Sequence, residues 1–172
     1  MTSRSRLTAL PTFLPTVLPT VLVAGALLTA CGNAADADIL GRTAITVDSA
    51  GSPVAVVRVC HGHVDTVQLL GDRTGLADDE PNPVVGTWRA EGDRTGTVEV
   101  ALTGANDGWT GPADTRLEAD STYVLIASDS GADAEASQVS FTPAQLADLD
   151  PGQVIVADGT VQDRSALDDC DE

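Results

Sequence analysis

Lysine is absent from these 172 residues, and all nine basic side chains are arginine. Against 26 acids this leaves a formal charge of −17. Such a surface repels phosphate backbones and anionic lipid headgroups, which excludes nucleic acid as a partner. Aromatics are scarce at 3%, so a core has to be aliphatic. Catalytic signatures are missing too. There is no Gly-x-Ser-x-Gly elbow, no His-Glu-x-x-His and no phosphate loop. A hydrolase would need a site assembled only in three dimensions, and the expectation is a non-enzymatic protein. Acidity on this scale goes with disorder only when apolar side chains are few. Here 42% are hydrophobic, enough for one modest domain.

The charge is unevenly placed. Residues 1–6 hold Arg4 and Arg6, and residues 7–30 carry no charge. An apolar run over residues 21–28 leads into Leu28-Thr29-Ala30-Cys31-Gly32. A basic start, an apolar middle and small residues at the end make an export signal. The last part resembles the bacterial lipobox, with Leu at −3, small Thr and Ala at −2 and −1, and Cys at +1. The resemblance implies that the Cys31 thiol is diacylated and that a peptidase cuts before it, removing residues 1–30 as a lipoprotein signal peptide. Cutting there removes two arginines and no acid, taking the charge from −17 to −19. The protein would face the extracytoplasmic side of the cell membrane, held by lipid, with an envelope protein or ligand as its unidentified partner. Two alternatives are an uncleaved membrane anchor and an ordinary secretory signal. Pro11, Pro15 and Pro19 interrupt the first, and Leu28 at −3 disfavours the second.

Residues 31–41 begin small and polar and read as a flexible tether. Beyond them, short β-branched runs with period-two alternation mark strands at 43–48, 54–60, 64–70, 84–90, 97–102, 122–127, 138–141 and 153–156. In the fifth, Val98, Val100 and Leu102 should face inward. Turn chemistry separates the runs. A single helical turn or two is expected near 143–149, with Thr142 as N-cap and Pro143 at the first position. About seven or eight short strands at this spacing predict an antiparallel β-sandwich or barrel over residues 42–157. An acidic tail follows at 158–172. Gly-Asp-Arg-Thr-Gly occurs twice, at 71–75 and 92–96, in flanks that do not match, which suggests two similar loops.

Leu117 and Tyr123, followed by Leu125 and Ala127 on the same strand face, resemble the tyrosine corner of fibronectin type III and immunoglobulin-like domains. The resemblance implies a sandwich in which the Tyr hydroxyl bonds upstream backbone while its ring fills the core. Trp88 is a candidate central core aromatic.

With Cys31 lipidated, Cys60 and Cys170 remain. Export to a disulfide-permissive compartment would let them bond and pin the acidic tail; otherwise they stay as two thiols. Cys60-His61-Gly62-His63 is the one arrangement with metal character. On an extended strand His61 and His63 project to one face about 7 Å apart, suited to zinc or copper. The plainer alternative is a histidine pair ending a strand at a Gly turn. Asp78-Asp79-Glu80 and the acids at 168–172 could hold calcium only loosely, lacking alternating oxygen donors.

Overall fold

The computed structural model describes residues 38–170. The described chain is mostly β. Its strands are β1 (Asp38–Val47), β2 (Pro53–Leu70), β3 (Val84–Ala101), β4 (Trp109–Thr110), β5 (Tyr123–Asp129), β6 (Ala134–Ser137), β7 (Val139–Phe141), β8 (Gln153–Ile155) and β9 (Val161–Asp163). One short helix, α1 (Pro143–Ala147), and a 3-10 turn at Arg164–Leu167 complete it.

The strands form one sheet in the order β4-β3-β2-β5-β6-β1-β8-β9, with β7 beside β5. A further β1–β2 pairing bends this sheet back on itself, so that β2, β5, β6 and β1 close a small barrel. The closure replaces the two facing sheets expected of a sandwich. It is also mixed, because β1 and β6 run parallel while the other pairs are antiparallel.

The long strand β2 makes the closure possible. Its first half pairs with β1 (Pro53–Val59 against Val47–Gly41) and its second half with β5 (Thr66–Leu70 against Ser128–Val124). Between the halves its register with β3 shifts twice, between Val59 and Val64 and between Val64 and Thr66. Gly62 sits in this corner at φ +64°, a conformation side chains with a Cβ resist. The expected strands 54–60 and 64–70 are thus two arms of one bent strand, as are 84–90 and 97–102 in β3. β1 begins at Asp38 and takes in the last four residues of the expected tether. Gly41 is needed there, since an added Cβ would strike the Arg58 carbonyl oxygen. The rest of the tether, the signal segment and Cys31 lie outside the described residues.

The main core lines the barrel and extends over β3. It includes Ile45, Val57, Val67, Leu69, Trp88, Val100, Leu125 and Phe141. Val98, Val100 and Leu102 are buried as expected, and Trp88 is the largest wholly buried side chain among the described residues. Val54 through Val57 are all buried, because β2 is covered on both faces. Ala55 and Val57 face the main core, while Val56 joins Ala44, Val154 and Leu167 in a second, smaller cluster. β8 and the 3-10 turn supply that outer cover, so residues 161–167 of the expected acidic tail form β9 and the turn.

The contacts expected of Tyr123 are present. The Tyr123 hydroxyl accepts a 2.7 Å hydrogen bond from the Glu118 N–H, and its ring stacks on Phe141 with centroids 5.9 Å apart. Thr142 caps α1 through a reciprocal pair of bonds with Gln145, and Pro143 opens it.

Candidate functional site

Cys60 and Cys170 are joined by a disulfide, with Cα atoms 5.6 Å apart. The bond ties the bend of β2 to the end of the described chain, 110 residues away. It forms one wall of a groove of about 560 Å3. The start of β1, paired beside Cys60, also lines it, and Ile39 stands exposed there. Arg42, His61, Ser137 and Gln162 bring polar groups to the groove, while Val156, Ala166 and Leu167 make it aliphatic. Arg42 also donates to the Ala166 carbonyl at 3.3 Å, fastening the 3-10 turn over β1. Thr43, which adjoins the groove, buries a hydroxyl with no hydrogen-bond partner among the described residues.

His63 belongs to different surroundings. Its Nε2 lies 3.3 Å from Asp129 Oδ2 on β5 and 3.4 Å from Asp93 Oδ1 on β3. When the ring is protonated it is an ion-pair bridge joining β2 to both neighbours. Beside it, Asp65 accepts bonds from the Ser130 N–H (2.9 Å) and hydroxyl (2.5 Å). Burial pushes the Asp65 carboxyl up, but the Ser130 bonds, Thr66 and the nearby His63 together hold it below the ordinary aspartate value. The Ser130 hydroxyl is thereby directed to the Asp65 carboxylate and not to the imidazole.

The two histidines therefore have different surroundings. The same-face expectation assumed extended backbone through Gly62, and the positive φ there breaks the alternation. His61 lines the groove, whereas His63 turns to Asp93 and Asp129. Among the described residues, no three His, Cys, Asp or Glu side chains are arranged to hold one metal ion.

No family model, curated protein or solved structure matches the chain. Among the described residues, no helix is long and apolar enough to cross a membrane.

The acidic segment Asp78-Asp79-Glu80 is ordered by a cation from within the chain. The Arg73 guanidinium donates to the carbonyls of Glu80 (2.6 Å), Ala77 (2.8 Å) and Asp78 (3.1 Å), and to Asn82 Oδ1 (3.2 Å). Arg94, the matching arginine of the second Gly-Asp-Arg-Thr-Gly, donates to the Gly108 carbonyl at 2.7 Å and lies over the Trp109 ring. Each copy of the pentapeptide thus uses its arginine to gather backbone from a later segment. The first copy is a loop as expected; the second lies within β3.

The sequence pointed to Cys60, Cys170 and the histidines but missed the partners that define their surroundings. Asp93 and Asp129 lie 30 and 66 residues beyond His63, on two other strands. In a chain with 26 acids, no local signal distinguishes these two. Arg42, Ser137 and Gln162 likewise meet only through the β1–β6 and β8–β9 pairings.

Proposed function

We propose that this chain is an extracytoplasmic lipoprotein, anchored through diacylated Cys31, whose acidic β-domain has a non-enzymatic binding or structural role. The observation that carries the reading is the Cys60–Cys170 disulfide in a domain that follows an export-type segment ending in Leu28-Thr29-Ala30-Cys31. Disulfides persist in oxidising compartments, which agrees with export. Two acyl chains suffice for stable anchoring. From Cys31 to the first residue of β1 is seven residue steps, a reach of roughly 25 Å when extended. The domain would therefore work close to the bilayer.

The groove beside the disulfide is the binding surface favoured by its volume, which falls within the range typical of ligand sites. The net charge favours neutral or cationic partners over anionic ones. We further read the domain as related in plan to fibronectin type III-like sandwiches. The Tyr123–Glu118 corner supports that kinship, while the β1–β2 closure departs from it.

Mass spectrometry of the chain recovered from the membrane fraction tests the anchor. The expected product begins at Cys31 and carries acyl groups, and Cys31→Ser abolishes both lipidation and cleavage at that bond. A mature chain starting elsewhere, or with an unmodified Cys31, overturns the reading. For the binding role, a pull-down from native membranes with the lipidated chain should recover a partner. Its loss when bulky side chains are placed at Ser137 or Ala166 would locate the contact in the groove.

A further inference from the structure

Among the described residues, the main core contains none beyond Ile155. After Ile155, Leu167 is the one buried residue among those described. It plugs the small cluster of Ala44, Val56 and Val154 on the outer face of the barrel. The segment around it is held by the Arg42 bond to Ala166, the Arg164–Glu99 ion pair and the bond to Cys60. Cys170 is exposed and Cys60 half-buried, so a thiol in solution can reach the bond. Ala166, Leu167 and Cys170 are at the same time part of the groove wall.

We propose that Cys60–Cys170 is a reducible clasp and that residues 164–170 are a strap, which lifts away and opens the groove when a dithiol breaks the bond. A thiolate of the dithiol attacks the exposed Cys170 sulfur, and the S–S bond breaks with Cys60 leaving as a thiolate that takes up a proton. The second thiol of the same reductant then attacks the mixed disulfide and releases Cys170 as a thiol. The protein gains two electrons and two protons, and the dithiol is oxidised to its own disulfide. The barrel keeps its fold because neither cysteine belongs to the main core. Without the cross-link, one buried leucine, the Arg164 N–H bond to the Gly152 carbonyl and surface polar contacts are left to hold the strap. Its opening uncovers Ala44, Val56 and Val154 and removes one wall of the groove.

Hydrogen exchange on the full chain in detergent tests this. The oxidised protein is compared with protein reduced by dithiothreitol and alkylated under native conditions. Exchange in peptides covering residues 164–170 is expected to speed up at least tenfold on reduction, while β2, β3 and β5 change less than twofold. The Cys60→Ser/Cys170→Ser chain should match the reduced protein. Unchanged protection in the strap would show that the bond is no clasp. Loss of protection across β2, β3 and β5 would show that it holds the whole domain. Either result overturns the proposal.

Discussion

The Tyr123 hydroxyl reaches back five residues to accept the Glu118 N–H at 2.7 Å, fastening the approach to β5 against the strand itself. Tyr123→Phe keeps the stacking on Phe141 but leaves that amide without its acceptor. The expected cost is about 1–2 kcal/mol, seen as a lower urea midpoint at unchanged slope. A variant as stable as the parent would show that the bond contributes nothing.

Asp65 gives the domain a sensitivity to acid. Its folded-state pKa lies below the ordinary aspartate value, so the unfolded chain takes up the proton first as pH falls. The stability from its bonds to Ser130 is full above pH ~4, the ordinary aspartate range, and is lost as pH drops through the depressed folded value. Thermal melts from neutral pH downward should show Asp65→Asn converging with the parent at the acid end. A constant difference at every pH would rule this linkage out.

Arg73 organises its loop through four acceptors, three of them backbone carbonyls. Arg73→Ala should loosen residues 77–82, read as faster amide exchange there, with little change in the melting temperature because the loop lies outside the core. Arg94→Ala removes both the Gly108 bond and the cover over Trp109. It should cost more, about 1–2 kcal/mol. Equal effects from the two variants would contradict their different surroundings.

Because Gly62 separates His61 from His63, zinc or copper titrated into the full chain should bind no more tightly than about millimolar. Calorimetry decides this. Micromolar binding that disappears in His61→Ala/His63→Ala would restore the pair as a metal site. Micromolar binding lost in His63→Ala alone would move the site to Asp93 and Asp129.

Most strands were legible because side-chain alternation is local. Val98, Val100 and Leu102 point inward for the reason the sequence suggests, and Thr142–Pro143 opens a helix where expected. The short pieces were harder to read. β6, Ala134–Ser137, has only small and polar side chains, and it is a strand because β1 and β5 flank it on either side. β9 is exposed throughout and exists through its pairing with β8. His61 and His63 have different surroundings because the strand is not regular across Gly62, which turns the backbone.

Taken alone, the sequence determined the β class, the aliphatic core, the turn positions and an export-like N-terminal pattern. Those depend on side-chain type and on spacings of a few residues. Only the tertiary structure decided that β1 and β2 close a barrel, that Leu167 covers its outer face, and that His63 sits between Asp93 and Asp129. These are contacts between residues tens of positions apart. Alternation says which side chains are inward, but which strands become neighbours depends on where long strands bend and on how the whole apolar surface is best covered.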